Sequence, residues 1–446
     1  WISNVMVQYG GGISRPTSVL ILVALVGYLT LYATAFGGLA ASACARGGVG
    51  ALFVTPLLWV GLEFFRQYPF GGFPWCLLGY SQMSFLPVAQ LASLVGVYGL
   101  SLLIVLVNAL LAYLLSRPGR KQGILAAVPV VCLLIATLTF GYRELATPLP
   151  PPSFPVAAIQ GNVRQENKWD SDWARDIFAR HLELSQQAAD DGARLLVWPE
   201  SSTPFHFDGS PTASGVMRDL ARNQDIFLLF GSDDYELLTE SAGDYRAFNG
   251  VKLLAPSGEI LLRYHKIYLV PFGEFVPLRS LLRFAQPLVQ NVAGFSPGRE
   301  VLVAEVDGEK IGAFICYEAI YSGLARRFVD EGAGLLVNVT NDAWFGRSSA
   351  PYQHFAMAAS RAIETRRYLV RAANTGISAL VDPYGRVLAS GSLFVPELVA
   401  GKVGFRKDRT FYVRYGYLLP QSMAVVTLVF GVILVVPHIR GKRRRT

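Results

Sequence analysis

Three groups with complementary chemistry stand at similar places along this sequence: Glu200 after LLVWP, Lys266 after ILLRYH and Cys316 after KIGAFI. Each follows an apolar run that reads as a β-strand, so each falls where a strand gives way to a loop. That is the usual station of catalytic side chains on an α/β scaffold. A carboxylate, an ammonium and a thiol are the parts needed to attack an acyl carbon. The carboxylate takes a proton, the thiol forms a covalent acyl intermediate, and the cation offsets negative charge on the oxygen. Each residue also has a plainer reading: a structural cysteine at a strand end, an acidic group at a helix start, a lysine reaching for headgroups.

The local sequence sharpens the expectation. YEAIYSGLARRF after Cys316 reads as a helix, and a strand-to-helix turn aims backbone N–H groups at the thiol. Such a turn favours the thiolate and supplies an oxyanion pocket. To take a proton from a thiol of intrinsic pKa about 8.5, a buried Glu200 with a raised pKa is suited.

These residues lie in a stretch of ordinary polarity, 145 to 412, entered through the stiff proline-rich linker YRELATPLPPPSFP. Within it VAAIQ, RLLVW, IFLLF, GVKLLA, ILLRY, VLVAEV, KIGAFI, GLLVNV and SALVD read as strands. Trp173 to Ala189 and Tyr352 to Arg367 read as helices. Sustained alternation of strands and helices predicts one α/β domain. Pro277 to Gln290 places Leu278, Leu281, Leu282, Ala285, Leu288 and Val289 on one helical face. That segment reads as a helix lying in a membrane interface or covering the site. The aromatic loop around Trp344, Phe345 and Tyr352 reads the same way.

The whole chain is too apolar for an ordinary soluble enzyme: 446 residues, 52% hydrophobic and 16% charged, with mean hydropathy +0.36. Val19–Ala43, Met83–Leu115, Gly123–Gly141 and Tyr417–Pro437 carry no charge, and each is long enough to span a ~30 Å hydrocarbon core. Gly50–Phe65, with Glu63 in it, reads as a fifth span. The expected organisation is therefore helical spans over 1–145, a polar domain over 146–410, and a final span with a basic tail over 411–446. Net charge is +8, concentrated in HIRGKRRRT and in SRPGRKQG. Basic connectors beside apolar spans mark the cytoplasmic side and contact anionic lipid, and nucleic acid is not the expected partner. With both connectors inside, the polar domain faces outward, the periplasm in a bacterium. Of the four cysteines only Cys316 lies in that domain, and an unpaired thiol in an oxidising compartment points to use. The five histidines form no HExxH and no CxxC occurs, so neither a metal nor another cofactor is expected.

VWPES, HKxxLVPFGE and ICYE, in that order, resemble the signature of the nitrilase, or carbon–nitrogen hydrolase, superfamily over residues 150–405. NDAWFG followed by QHFAMAASRAIETRRYLVRAANTGIS, with spans on both sides, resembles the bacterial apolipoprotein N-acyltransferases along the whole chain. The resemblance implies a four-layer αββα sandwich joined to a polytopic helical membrane domain. It implies Glu200 as general base, Lys266 as transition-state cation and Cys316 as nucleophile. It makes Glu274 a second essential glutamate and Tyr317, Glu318, Trp169 and Trp344 supporting or substrate-binding residues. It implies transfer of a fatty acyl chain from a phospholipid, the sn-1 acyl of phosphatidylethanolamine, to the N-terminal S-diacylglyceryl-cysteine of an apolipoprotein, in the bacterial inner membrane. The family has eight spans against the five read here, so three would precede Trp1. The rivals are a membrane-anchored amidase, an inactive lipoprotein-binding relative, a Cys–His dyad using His265 or His206, and a transporter.

Overall fold

A computed structural model describes residues 1–9, 13–116, 118–237, 245–277, 294–416 and 418–442. The chain forms two compact units, Trp1–Ser18 with Leu149–Arg409, and Val19–Pro148 with Thr410–Thr446. The stretch expected as a helix from Pro277 to Gln290 lies, from 278 onward, outside the described residues.

Among the described residues the first unit has fourteen strands: β1 Phe154–Gln160, β2 Leu195–Val197, β3 Phe227–Gly231, β4 Asp234–Leu237, β5 Tyr245–Phe248, β6 Gly250–Leu254, β7 Ile260–His265, β8 Val303–Val306, β9 Glu309–Ile315, β10 Leu335–Thr340, β11 Tyr368–Ala373, β12 Ala379–Val381, β13 Val387–Ser390 and β14 Glu397–Val403. Two six-stranded sheets run β14-β1-β2-β3-β6-β7 and β13-β12-β11-β10-β9-β8, and β4 pairs with β5 apart from them. In each sheet three consecutive parallel strands, β1-β2-β3 and β9-β10-β11, are flanked by antiparallel ones.

Side-chain alternation explains the layering. Ala157, Ile159, Leu196, Trp198, Leu228 and Phe230 form one buried cluster with Ala188, Met217 and Ala221 from the helices Ser171–Asp190 and Pro211–Asn223. The intervening Val156, Ala158, Leu195, Val197 and Leu229 are equally buried and must therefore point the other way, into the second sheet. β1 packs against β11, and β14 against β12 and β13, while Ser322–Asp330 and Ala350–Thr365 cover the far side. The result is the expected αββα order of layers. Polar contacts pin the two sheets as well: Ser378 Oγ donates to Gln160 Oε1 at 2.7 Å, and Asn374 Nδ2 donates to the Val163 carbonyl at 2.8 Å.

All nine runs read as strands are strands, but β4, β5, β11, β13 and β14 went unread. β11 is instructive. YLVRAA follows a helix with no glycine or proline between them, so the expected helix ran on to Arg367. In the fold the helix stops at Thr365, and Arg366 itself takes the left-handed cap position, φ 54°. Glycine ordinarily fills that place. Arg366 is held there by a hydrogen bond to the Pro383 carbonyl at 3.1 Å.

In the second unit, Arg15–Arg46, Ala92–Leu115 and Arg120–Ala146 are long and apolar enough to cross a membrane, and Val49–Phe65 and Leu418–Leu434 are shorter apolar helices. The uncharged run from Met83 is not one helix. A short helix, Leu86–Ala89, precedes Ala92–Leu115, whose regular path is broken at Gly96 with φ 65°. A Cβ at Gly96 would lie 2.6 Å from the Tyr412 ring, so this position admits only glycine without rearrangement. Glu63 has a structural task here, accepting the Leu78 N–H at 2.9 Å.

Trp198 is fully buried two residues before Glu200, and its indole N–H donates to Ser185 Oγ at 2.7 Å. Trp198→Ala is expected to cost roughly 3–5 kcal/mol through the cavity it leaves. A lowered thermal midpoint in detergent, together with faster proteolysis of the polar domain, checks this.

Candidate active site

The parallel strands of each sheet end on one side, and the site gathers there. Glu200 follows β2, Cys316 follows β9 and Asn341 follows β10. Lys266 follows β7, which runs parallel to β3 because two antiparallel steps through β6 restore the direction. Strand geometry thus delivers four groups, distant in sequence, to one end of the sandwich.

Their contacts form a closed set. Lys266 Nζ donates to Glu200 Oε1 at 3.2 Å and to Glu274 Oε1 at 2.8 Å. Asn249 Nδ2 bridges the same two oxygens at 2.8 Å each. The outer oxygens are taken by backbone: Asn341 N–H to Glu200 Oε2 at 2.9 Å, and Val270 N–H to Glu274 Oε2 at 2.7 Å. Lys168 Nζ donates to the Glu200 carbonyl at 3.0 Å. Glu200 and Thr340 both bear on the Cys316 thiol.

Burial acts on each group differently. Burial works against a charged Glu200, yet Lys266, Lys168 and the hydrogen bonds from Asn249 and Cys316 outweigh it and hold its pKa below the usual carboxylate value. This corrects the expectation of a raised Glu200. Burial also opposes the Lys266 cation, but Glu200 and Glu274 more than compensate and drive its pKa well up. Burial, then the Glu200 charge, push the Cys316 thiol up, with Lys266 opposing them. The resting pair is therefore thiol and carboxylate, and the expected resting thiolate is not what the surroundings favour.

Cys316 sits at φ 48° and Ser201, beside Glu200, at φ 42°, both in the left-handed region that non-glycine residues seldom occupy. The segment after Cys316 is a tight 3₁₀ turn, Cys316–Ile320, with the α-helix delayed to Ser322. A fully buried chain holds that turn. His354 Nε2 meets the Cys316 carbonyl at 3.0 Å, His354 Nδ1 meets Asp342 Oδ1 at 2.8 Å, and Arg371 donates to Asp342 Oδ2 at 2.9 Å. The Cys316 carbonyl can only accept, so His354 Nε2 is the donor in that bond. A trans peptide carries its N–H opposite its C=O, so this anchor also fixes the direction of the Tyr317 N–H.

Glu318 ties the cysteine turn to the lysine loop. Its Oε1 accepts from Tyr264 Oη at 2.7 Å and from the Ile267 N–H at 2.6 Å, and its Oε2 from the Ile315 N–H at 2.7 Å. Tyr317 packs edge-on against Tyr321, whose ring stacks on Tyr268 at 4.1 Å. Trp344 is 38% exposed and meets Tyr9 edge-on at 5.1 Å. Trp169 is 56% exposed and stands outside the buried cluster, while its neighbour Lys168 belongs to it. His265 pairs with Asp234 at 3.1 Å and His206 packs on Tyr235, so neither serves the thiol. Sequence reasoning missed Asn249, Lys168, His354, Asp342 and Arg371. Asp342 could have been suspected from its place in NDAWFG; a lone Asn before a strand gives no signal.

The fold and this cluster define a carbon–nitrogen hydrolase domain, and the carbon-nitrogen hydrolase family model matches residues 155–404. The model of the apolipoprotein N-acyltransferase N-terminal domain matches residues 1–110. Apolipoprotein N-acyltransferases of Geobacter metallireducens and Photobacterium profundum are 40% and 32% identical, over 93% and 98% of this chain and 80% and 83% of theirs. The chain belongs to the apolipoprotein N-acyltransferase family, as a membrane protein with acyltransferase activity. A solved amidase from Nesterenkonia sp. is 20% identical over 60% of this chain and 98% of its own, with a TM-score of 0.45.

Asp342 is held down to about 2, because Arg371 and His354 outweigh the burial that opposes its charge. A depressed carboxylate contributes stability that is present above its unfolded pKa and lost as pH falls toward 2. Asp342→Asn, which leaves Arg371 unpaired in the interior, is expected to cost roughly 3–5 kcal/mol at pH 7. Thermal midpoints of wild type and variant should converge as pH is lowered through that window.

Proposed function

We propose that Cys316 is the nucleophile, Glu200 the proton carrier and Lys266 the oxyanion partner of a two-stage acyl transfer. The observation that carries this reading is the buried Glu200–Lys266–Glu274 cluster beside a strained thiol that its surroundings keep protonated. The acyl donor is a phospholipid ester, the sn-1 ester of phosphatidylethanolamine. The acceptor is the α-amino group of a diacylglyceryl-modified cysteine on an apolipoprotein.

In the first stage the S–C bond forms as the thiol proton passes to Glu200. A free thiolate need not accumulate, which suits a thiol raised by its surroundings. Lys266 and the Tyr317 N–H receive the developing oxyanion. Glu200 then returns the proton to the departing glycerol oxygen, and lysophospholipid leaves a thioester behind. In the second stage the amine attacks, Glu200 takes its proton, and collapse gives the amide and restores the thiol. Glu274 and Asn249 hold Lys266 and Glu200 in place; Glu318 and Tyr317 fix the turn. A thioester yields readily to an amine provided water is kept out, and the burial of Cys316, a residue only 8% exposed, serves that end. We place the domain on the periplasmic side of the inner membrane, a placement supported by the basic connector at Arg120 and Lys121 and the basic tail.

Incubation with radiolabelled phospholipid should label wild type and leave Cys316→Ala unlabelled; a labelled Cys316→Ala would remove the nucleophile assignment. Glu200→Gln should slow thioester formation roughly 10²- to 10⁴-fold with little change in donor KM. His354→Ala should slow the same step roughly tenfold to a hundredfold, with partial recovery on adding imidazole, because the carbonyl anchor is lost together with the Asp342 contact.

A further inference from the structure

Beside the catalytic cluster lies a cavity of about 590 Å³ that the chemistry above does not use. Its walls come from the loops after β1, β10, β11 and β13 and from the short N-terminal helix Ile2–Tyr9. It is one residue away from the site. The Asn341 side chain donates to Gln165 Oε1 at 2.7 Å on the cavity wall, while the Asn341 N–H holds Glu200.

The wall carries Arg164, Arg347 and Glu166. Among the described residues neither guanidinium is in an ion pair; Arg347 lies over the Phe394 ring at 5.1 Å, and Glu166 accepts from Gln8 at 3.2 Å. Thr375 also lines the cavity, is 2% exposed, and its hydroxyl has no hydrogen-bond partner among the described residues. A buried hydroxyl without a partner costs free energy that a bound polar group would return. Aromatic rings border the same region, Tyr9 against Trp344 at 5.1 Å and Trp1 against Phe345 at 5.0 Å.

Two guanidiniums, one carboxylate and aromatic faces complement a group that is anionic at one end and cationic at the other. Arginine favours phosphate oxygens, and a carboxylate with aromatic faces favours an ammonium. We infer that this cavity is the headgroup subsite for a zwitterionic glycerophospholipid. Arg164 and Arg347 hold its phosphodiester, Thr375 donates to a phosphate oxygen, and Glu166 with the rim holds its ammonium. The inference rests on the reading of a phospholipid donor and adds where its headgroup sits.

The test uses the full chain in neutral detergent with Cys316→Ala, so that binding is read without turnover. Short-chain phosphatidylethanolamine is titrated against tryptophan fluorescence, alongside diacylglycerol of the same chains and inorganic phosphate. Arg164→Gln and Arg347→Gln should each weaken phosphatidylethanolamine roughly tenfold and leave diacylglycerol affinity unaltered. Glu166→Gln should weaken phosphatidylethanolamine but not phosphatidylglycerol. Equal affinities for the phospholipid and diacylglycerol, or no response to the arginine variants, overturns the inference. Displacement of the lipid by inorganic phosphate at equal concentration also overturns it, showing a free-phosphate site instead. Acyl labelling of Cys316 is measured in parallel on the wild-type chain. Its loss with arginine-dependent binding intact counts against the acyl-transfer reading alone, and its persistence without arginine dependence counts against the subsite alone.

Discussion

The rest of the site depends on keeping a lysine ammonium charged in the interior between two carboxylates. Isolated burial would strip the proton from Lys266 or force one onto Glu200. Together they sustain one another, and Asn249 bridges the same pair of oxygens that Lys266 does. Removing Lys266 leaves two carboxylates buried together with no cation between them, so the positions of Glu200 and Lys266 are fixed jointly. This also explains why Glu200 is held below the usual range while the thiol beside it is driven up. In the proposed transfer, the carboxylate that would receive the proton also discourages its release until an electrophile arrives. A thiol kept protonated at rest is protected from stray oxidation and alkylation, since the thiolate is the reactive form.

Around that cluster the fold spends its buried polar groups on holding turns. Arg371, Asp342 and His354 reach the Cys316 carbonyl from β11, from the loop after β10 and from the helix Ala350–Thr365. Glu318 reaches the loop that carries Lys266. Arg367 ties the β11 approach to the carbonyls of Ala333 and Asp408. These are strained or loop positions, where no regular ladder would otherwise satisfy the backbone. The segment RRYLVR is accordingly a buried framework, although its charges suggest a solvated face.

Much of the site was legible from chain order. Glu200, Lys266 and Cys316 stand at strand ends because long apolar runs precede them, and Glu274 came with the PFGEF pattern that resembles the family. The expected pKa pattern was not legible. A raised Glu200 follows from burial alone, and the opposing effect needs Lys266 and Lys168 at hydrogen-bonding distances. The NKWD motif points to Trp169, yet the buried residue is its neighbour Lys168. Helix termination at Arg366 was missed because no glycine marks it.

The sequence by itself determined where the apolar helices lie, that strands alternate with helices between them, and which acid, amine and thiol end strands. These are local matters, set by hydrophobic period and run length. Only the tertiary structure decided which way the protons sit, because a charge's cost depends on neighbours brought from elsewhere in the chain. Asn249, Asn341 and the His354–Asp342–Arg371 chain acquire their roles only when the parallel strands bring their ends to one side.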